Sequence, residues 1–230
     1  MTYAISDPHN DVRRFKGLLR ATNFSQQADT LYIIGDVIDP GLDLLLKIMD
    51  MGSSLVLLRG NHEDLMLRSI KHPEGRWYRI WSANRNKQTV TDYLSLSPSI
   101  RYEVIEFLES CSVSLDLEVE NRKFHLIHGW PNLDNDDFAK VWTRPTFESV
   151  NPLTKTLLVG HTHVPLILYP NDPFARNNYL KHLHKTRDHI RIFHGQGDWH
   201  GLDCGCAYRG ISAGRLACLR LEDMHEFYIR

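Results

Sequence analysis

The sequence has few cysteines, little net charge and no long apolar run, and each shortage excludes a class of protein. Four cysteines in 230 residues are too few, and too clustered, to build a disulfide scaffold, so we expect reduced thiols. No apolar run approaches the roughly 18 residues that are needed to cross a bilayer, so we expect no membrane partner. The formal net charge of −1 gives no electrostatic argument for binding nucleic acid.

The rest of the composition is typical of a folded globular protein. Hydrophobic residues make up 42% of the chain and charged residues 24%, which is sufficient for a sizeable core. Met1–Asp7 has neither the basic region nor the apolar core of a secretion signal, which predicts a cytoplasmic protein. Since there is no repeat, low-complexity tract or linker, we predict a single domain over residues 1–230. Within it we expect a helical insertion at about 64–110 and a polar surface excursion at about 170–200.

Short apolar runs that alternate with helical patterns open the chain. The runs cover residues 2–5, 31–34 and 55–58, and this rhythm predicts parallel strands joined by right-handed crossovers. Residues 113–119 alternate apolar and acidic side chains, which indicates a half-exposed antiparallel strand. We expect the remaining strands at 124–127, 156–159, 215–221 and 226–229, the last two as an antiparallel pair. The pattern as a whole predicts an α/β fold.

Polar side chains follow directly after five of these predicted strands. Because ligands bind beyond the carboxyl ends of strands in open α/β sheets, we expect these side chains to lie close together. They are carboxylates, imidazoles and one amide: Asp7, His9, Asp36, Asn61, His128, His161 and His163. Such a set, which has no cysteine, suits divalent first-row metals better than a structural zinc site. Seven ligands suit two ions roughly 3.5–4 Å apart that share a carboxylate, an arrangement that catalyses phosphoryl displacement.

In these positions the chain resembles the calcineurin-like metallophosphoesterases. The matching segments read Asp7-Pro8-His9, Gly35-Asp36-Val37-Ile38-Asp39, Arg59-Gly60-Asn61-His62-Glu63, His128-Gly129 and Gly160-His161-Thr162-His163. Within the family, the Arg-Gly-Asn-His-Glu form and the later Trp142-Thr143-Arg144 are most similar to the protein serine/threonine phosphatases of bacteria and phages. The resemblance implies the family's fold, which is two packed mixed β-sheets flanked by helices.

The resemblance also implies which residues hold the two metal ions. The first ion would be held by Asp7, His9 and Asp36, and the Asp36 carboxylate would bridge to the second ion. The protein ligands of the second ion would be completed by Asn61, His128 and His161. The wider family uses a histidine at the position of His163 on the first ion, so we include His163 as a ligand. Manganese is the favoured metal, but iron, zinc, nickel or cobalt suit the same ligands, since availability decides among them.

Four further residues receive roles from the same resemblance. His62 would be the general acid that protonates the leaving oxygen, and Asp39 would orient its ring. Arg59 and Arg144 would bind the phosphate, because a guanidinium matches two phosphate oxygens with paired hydrogen bonds. The chain departs from the phosphatase subgroup at Pro40, where that subgroup has another phosphate-binding arginine. We therefore expect weaker phosphate binding than in its relatives.

The implied activity is hydrolysis of phosphate monoesters by in-line attack of a metal-bound hydroxide. The favoured substrates are phosphoserine and phosphothreonine in proteins, and a small phosphoester is the other expected partner. The enzymatic alternative is a bis(5'-nucleosyl)-tetraphosphatase or another phosphodiesterase. A non-catalytic metal-bound scaffold is less favoured, because a degenerate relative would be expected to lose some of these residues.

Two other groups of residues could suggest metal binding, and we assign neither to a metal site. Cys204 and Cys206 are interpreted as buried structural thiols, because no second cysteine pair accompanies them. The histidines of segment 181–200 are interpreted as part of a solvated loop.

Overall fold

The computed structural model of the chain describes residues 1–83, 86–131, 136–208 and 210–230. The strands within this part are β1 (Thr2–Ile5), β2 (Thr30–Ile34), β3 (Leu55–Leu58), β4 (Ser114–Val119), β5 (Arg122–Ile127), β6 (Thr156–Val159), β7 (Phe193–Gly195), β8 (Trp199–Gly201), β9 (Leu216–Arg220) and β10 (His225–Ile229). They form two five-stranded sheets, and each sheet contains both parallel and antiparallel pairs.

The first sheet has the strand order β10-β9-β1-β2-β3. Its parallel part is β1-β2-β3, with Ile5 beside Ile33 and Ile34 beside Leu58. The strands β9 and β10 join as an antiparallel pair at the other edge. This arrangement confirms both the predicted parallel strands and the predicted antiparallel pair near the end of the chain.

The second sheet has the strand order β4-β5-β6-β8-β7. The strands β4 and β5 are an antiparallel pair, as the alternating pattern of residues 113–119 predicts. The strands β5, β6 and β8 run parallel, so their carboxyl ends lie at the same edge of the sheet. β7 and β8 were not predicted, because three residues are too few to show a strand period.

Apolar side chains on both faces of the first sheet explain how the layers pack. The space between the two sheets is filled by alternate residues of their strands, including Ala4, Ile34, Leu58, Phe124, Leu126 and Leu158. The intervening residues of the first sheet pack against helices in a second cluster that includes Ile5, Ile33, Leu57, Phe15 and Leu18. Successive side chains of a strand point to opposite faces, so a strand covered on both sides must be apolar throughout. The predicted fold of two packed mixed sheets flanked by helices is confirmed.

The α-helices of the described residues are α1 (Val12–Ala21), α2 (Asp43–Met49), α3 (Asn61–Lys71), α4 (Arg76–Trp81), α5 (Lys87–Ser95), α6 (Pro98–Ser110), α7 (Asp137–Trp142), α8 (Val164–Leu168) and α9 (Pro173–Thr186). Four of them, α3 to α6, occupy the segment in which we expect a helical insertion. Residues 84–85 of that segment lie outside the described residues. Of the described helices, none is both long enough and apolar enough to cross a membrane.

The interpretation of segment 181–200 as a solvated loop is wrong. Residues His182 and His184 lie in α9, and His194 and His200 lie in β7 and β8. The helix has clear start signals, since the Asp172 side chain accepts a hydrogen bond from the Ala175 N–H (2.8 Å) and a proline follows the cap. The helix could not be recognised from apolar periodicity, because Leu183 is its one buried residue. The cysteine prediction is confirmed, as all four thiols are free and buried.

Candidate metal centre

The loops that follow five strands meet where the two sheets come together. Asp7 follows β1, Asp36 follows β2 and Asn61 follows β3. From the second sheet, His128 follows β5 and His161 follows β6. Three of these residues, Asp7, Asp36 and His161, have left-handed backbones with φ of 53°, 56° and 61°. Non-glycine residues adopt this conformation at a cost, and it persists where the surroundings enforce it, often at functional sites.

A small polar cavity of about 160 Å³ opens between these loops. Eight of the residues predicted for the site line it: Asp7, His9, Asp36, Asn61, His62, Arg144, His161 and His163. The imidazole of His128 is fully buried and contacts two of them, with its Nε2 3.0 Å from Asn61 Oδ1 and 3.3 Å from Asp36 Oδ1. The structure therefore brings all seven proposed metal ligands together.

The carboxylate of Asp36 lies at the centre of this set. Its Oδ1 faces His128 Nε2, and its Oδ2 lies 3.8 Å from the Nε2 atoms of both His9 and His62. Burial raises the pKa of Asp36, but the nearby His128 and His62 hold that pKa well below its usual range, so the group is ionised. A carboxylate whose two oxygens face different histidine groups fits the shared ligand of two cations.

Backbone contacts fix the ring orientation of the two histidines on one side of Asp36. His128 Nδ1 donates to the Ile34 carbonyl at 2.8 Å, so its Nε2 is the atom available toward Asn61 and Asp36. His161 Nε2 donates to the Trp142 carbonyl at 3.2 Å, which leaves its Nδ1 free. Such backbone contacts orient metal-binding imidazoles in known sites. Burial and the proximity of His128 lower the pKa of His161 to about 2, so this ring is neutral, as a metal ligand must be.

On the other side of Asp36, the same logic applies to Asp7, His9 and His163. His9 Nδ1 contacts the Asp39 carbonyl at 3.1 Å, and its Nε2 points toward Asp7 Oδ1 at 3.9 Å. The Nδ1 of His163 is buried and has no hydrogen-bond partner among the described residues, as expected for a nitrogen reserved for a ligand. Burial, together with the charge of Asp203, raises the pKa of Asp7. A buried carboxylate that resists ionisation beside other carboxylates is a site that a divalent cation would stabilise.

These observations show that the residues fit two divalent ions. The donors are oxygen and nitrogen only, their free atoms converge on one cavity, and Asp36 is common to both histidine groups. The assignment of each residue to a particular ion stays a prediction.

His62 lies at the edge of the cavity and is held by a carboxylate. Its Nδ1 is 2.6 Å from Asp39 Oδ2, and the hydroxyl of Thr89 on α5 donates to Asp39 Oδ1. Burial lowers the pKa of His62, but the charges of Asp36 and Asp39 outweigh it and raise the pKa to about 9. The imidazole is therefore protonated in this environment and can give up a proton from Nε2.

The two arginines predicted to bind phosphate have different positions. Arg144 lines the cavity, and its Nη1 donates to the His161 carbonyl at 3.0 Å. Arg59 is not among the described residues that line it and lies instead along a separate cavity beside α3, so this placement does not support its predicted phosphate contact at the metal centre. The reason is strand alternation: Gly60 follows in extended conformation and faces Asp36, so the preceding side chain points the other way. Pro40 does not line the metal cavity either.

Three residues at the site were not predicted, and two of them line the cavity. Asp203 lines the cavity and is buried, and it follows β8, a strand too short for its end to be recognised in the sequence. Because β8 runs parallel to β6, Asp203 arrives at the same edge as His161. Tyr208 also lines the cavity, and its ring packs 4.9 Å from that of His163. The short Trp-His-Gly run before Asp203 was the available signal.

The third overlooked residue is Glu63, whose carboxylate ties the loops of the site together. It is completely buried and accepts backbone N–H hydrogen bonds from Asp36 (2.9 Å), Val37 (2.9 Å), Ile38 (3.3 Å) and Gly60 (2.9 Å). One side chain thus fixes the loop after β2 to the start of α3. The sequence places Glu63 in the Arg-Gly-Asn-His-Glu segment, but only the fold shows which amides it binds.

Replacing Glu63 by glutamine should destabilise the protein, because the amide group of glutamine would face N–H donors that need an acceptor. Each buried donor left unpaired costs about 1–3 kcal/mol, so we expect a loss of at least about 2 kcal/mol in the free energy of unfolding. Urea denaturation measures this loss, with the exposed Glu118→Gln as the matched control. Equal stability of the two variants would contradict the role assigned to Glu63.

Comparison with known proteins identifies the family to which the chain belongs. The model of the family described as "Calcineurin-like phosphoesterase" matches residues 2–204. The symmetrical bis(5'-nucleosyl)-tetraphosphatase of Proteus mirabilis is 38% identical over 65 residues, which cover 27% of this chain and 24% of that protein. The enzyme of the same name from Pectobacterium carotovorum is 31% identical over 97 residues, which cover 41% of this chain and 32% of that protein. The matches thus span less than a third of the length of these relatives.

Solved structures agree on the fold. A protein provisionally described as a diadenosine tetraphosphatase superposes with a TM-score of 0.63 at 17% identity, covering 99% of this chain and 92% of the other. A metallophosphoesterase from Sphaerobacter thermophilus superposes with a TM-score of 0.55 at 15% identity, covering 100% and 89%. The chain belongs to the calcineurin-like phosphoesterases, a family of dinuclear metal-dependent hydrolases of phosphoric esters.

Proposed function

We propose that this protein hydrolyses the phosphoric anhydride bonds of dinucleoside polyphosphates. The observation that carries the hydrolytic part is the Asp36 carboxylate, whose two oxygens face different histidine groups within one cavity. When bound there, two divalent ions would supply Lewis acidity that polarises the phosphoryl group and activates water. The substrate class rests on the symmetrical bis(5'-nucleosyl)-tetraphosphatases that the chain resembles over part of its length.

The residues of the chain supply binding and proton transfer. Arg144, at the wall of the cavity, would donate paired hydrogen bonds to the non-bridging oxygens of the phosphoryl group. His62 would give its Nε2 proton to the leaving oxygen, while Asp39 holds Nδ1–H and stabilises the charged ring before the transfer. For diadenosine tetraphosphate, one water and one bond cleavage at the centre of the chain yield two molecules of ADP.

A substrate with several phosphates also suits the low number of cations in the cavity. Arg144 is the one arginine or lysine among its described lining residues, because Arg59 faces elsewhere and residue 40 is proline. A polyphosphate brings further oxygens that can bind the ions, so it depends less on arginines than a phosphoserine side chain does. This feature, together with the relatives, favours the dinucleotide over the phosphorylated protein that the sequence motifs favour.

Substrate comparison tests the proposal. With manganese present, kcat/KM is measured for diadenosine tetraphosphate, a phosphoserine peptide, nitrophenyl phosphate and its bis-aryl diester, and nucleotide products are separated by chromatography. We expect the highest kcat/KM for the dinucleotide, with ADP as its product. A higher kcat/KM for the phosphopeptide would restore the protein phosphatase interpretation. No turnover of any of the four would support the non-catalytic scaffold.

Arg144→Gln should raise KM for these substrates and weaken inhibition by free phosphate. A hydrogen bond to a charged group contributes about 1.5–3 kcal/mol, so the expected effect is roughly 10- to 150-fold. Arg122→Gln is the matched control, because Arg122 pairs with Asp198 on the surface, outside the cavity. Metal content is measured in both proteins, since Arg144 also contacts the backbone of His161. An unchanged phosphate inhibition constant with both metals retained would remove Arg144 from the phosphate site.

A further inference from the structure

A second cavity, of about 380 Å³, lies beside α3 and is lined largely by basic side chains. The basic residues are Arg59, Arg68, Lys71 and His72, and the wall is completed in part by Asp64 and Trp77. None of these residues lines the metal cavity. Three of the six, Asp64, Arg68 and Lys71, lie on α3, the helix that begins at the proposed ligand Asn61.

Arg59 is one of the cationic residues that line this second cavity. Its Nε is buried and has no hydrogen-bond partner within the described part of the chain. The backbone holds the residue in place, since the Arg59 N–H donates to the Ser112 carbonyl at 2.9 Å. An arginine side chain stays protonated in proteins, so the charge cannot be removed. A buried N–H donor without a partner costs free energy. Arg59 lines the cavity, so it places a permanent positive charge there.

The other two strong cations of the second cavity are paired in ways that an anion could share. Arg68 Nε lies 2.6 Å from Asp64 Oδ2, and Lys71 Nζ lies 2.5 Å from Glu109 Oε1. The side chains of Arg68 and Lys71 are 38% and 60% exposed, so both cations have surface left for an anion, and the more exposed Lys71–Glu109 pair contributes little to stability. Three permanent cations thus face two carboxylates, and a positive charge is left over.

Trp77 adds an aromatic wall to the cations. Its ring is half-buried, with the guanidinium carbons of Arg76 and Arg68 4.6 Å and 5.8 Å from the ring centre. Guanidinium groups recognise phosphate by paired hydrogen bonds, and the indole, whose ring centre also lies 5.9 Å from that of Phe138 and 6.5 Å from that of Trp142, forms an apolar wall beside them. We infer that the second cavity is a binding site for a phosphate group, separate from the metal centre. The adjacent indole favours a nucleotide phosphate over free phosphate.

Counting bound phosphates tests this site directly. Manganese-loaded protein is dialysed against radiolabelled inorganic phosphate at low ionic strength. We expect two phosphates per chain in the wild type, one in Arg59→Gln and two in the control Arg122→Gln. Lys71→Gln, at an exposed position, should lower the affinity for the second phosphate by about threefold to tenfold, since one partly screened contact is lost. One phosphate in the wild type, or two of unchanged affinity in both Arg59→Gln and Lys71→Gln, would overturn the proposal.

A second measurement distinguishes the two phosphate sources and the two sites. AMP should bind the second cavity more tightly than phosphate does, and Trp77→Phe should remove this difference; equal affinities in the wild type would contradict a nucleotide site. Inhibition of nitrophenyl phosphate hydrolysis by phosphate should be unchanged in Arg59→Gln, because the metal centre is intact. The phosphate count does not depend on which substrate is hydrolysed, so the second site and the proposed function can fail independently.

Discussion

Asp36→Asn is expected to abolish hydrolysis of every phosphoester tested and to lower metal content. The carboxylate of Asp36 has one oxygen toward His128 and the other toward His9, so it is the group placed to bind both ions. An amide keeps the size of the side chain but loses its charge, and its nitrogen cannot act as a ligand. Metal analysis after dialysis, together with steady-state kinetics, measures both effects.

The control for Asp36→Asn is His163→Ala, which removes a proposed ligand of one ion only. We expect it to retain more metal than Asp36→Asn does. Thermal unfolding of both variants shows whether the fold is kept, since the Asp36 backbone N–H remains bound to Glu63. Two tightly held ions in Asp36→Asn would show that its carboxylate does not bridge them.

His62→Asn should lower kcat while the metals stay in place. General acid catalysis contributes about 10²–10⁴-fold, and the largest loss is expected for an alkyl phosphate, whose leaving oxygen is strongly basic. The loss should be smaller for nitrophenyl phosphate and for diadenosine tetraphosphate, because a phosphate leaving group has a pKa of only about 6. Kinetics with the three substrates on metal-loaded protein measure this series.

The matched change for His62→Asn is Asp39→Asn, which leaves the imidazole present but removes the carboxylate 2.6 Å from its Nδ1. Asp39→Asn should lose less kcat than His62→Asn does. The loss should again be largest for the most basic leaving group. If His62→Asn loses the same factor for all three leaving groups, the imidazole does not donate a proton to them.

The sequence predicted which residues meet at the cavity, because their positions depend on local features. Short apolar strands end at polar residues, and parallel strands deliver those residues to a common edge whatever the details of packing. His128 shows what was missed: its ring orientation depends on the Ile34 carbonyl of the other sheet. Short motifs do not predict contacts between residues that are distant in the chain.

The unsupported or missing predictions have specific physical causes. Arg59 was assigned from its motif, but the extended backbone at Gly60 turns the arginine side chain away from Asp36. Asp203 was missed because it depends on β8, a strand of three residues. The role of Glu63 depends on the loop after β2, which lies 27 residues earlier in the chain at Asp36.

The central claim is that two ions sharing Asp36 are needed for hydrolysis, and a metal titration tests it most directly. Manganese is added in steps to metal-free protein, and bound metal per chain and hydrolysis of nitrophenyl phosphate are measured on the same samples. The account predicts that activity depends on the second ion and reaches its plateau at two ions per chain. Full activity at one ion per chain, with no further rise, would contradict it.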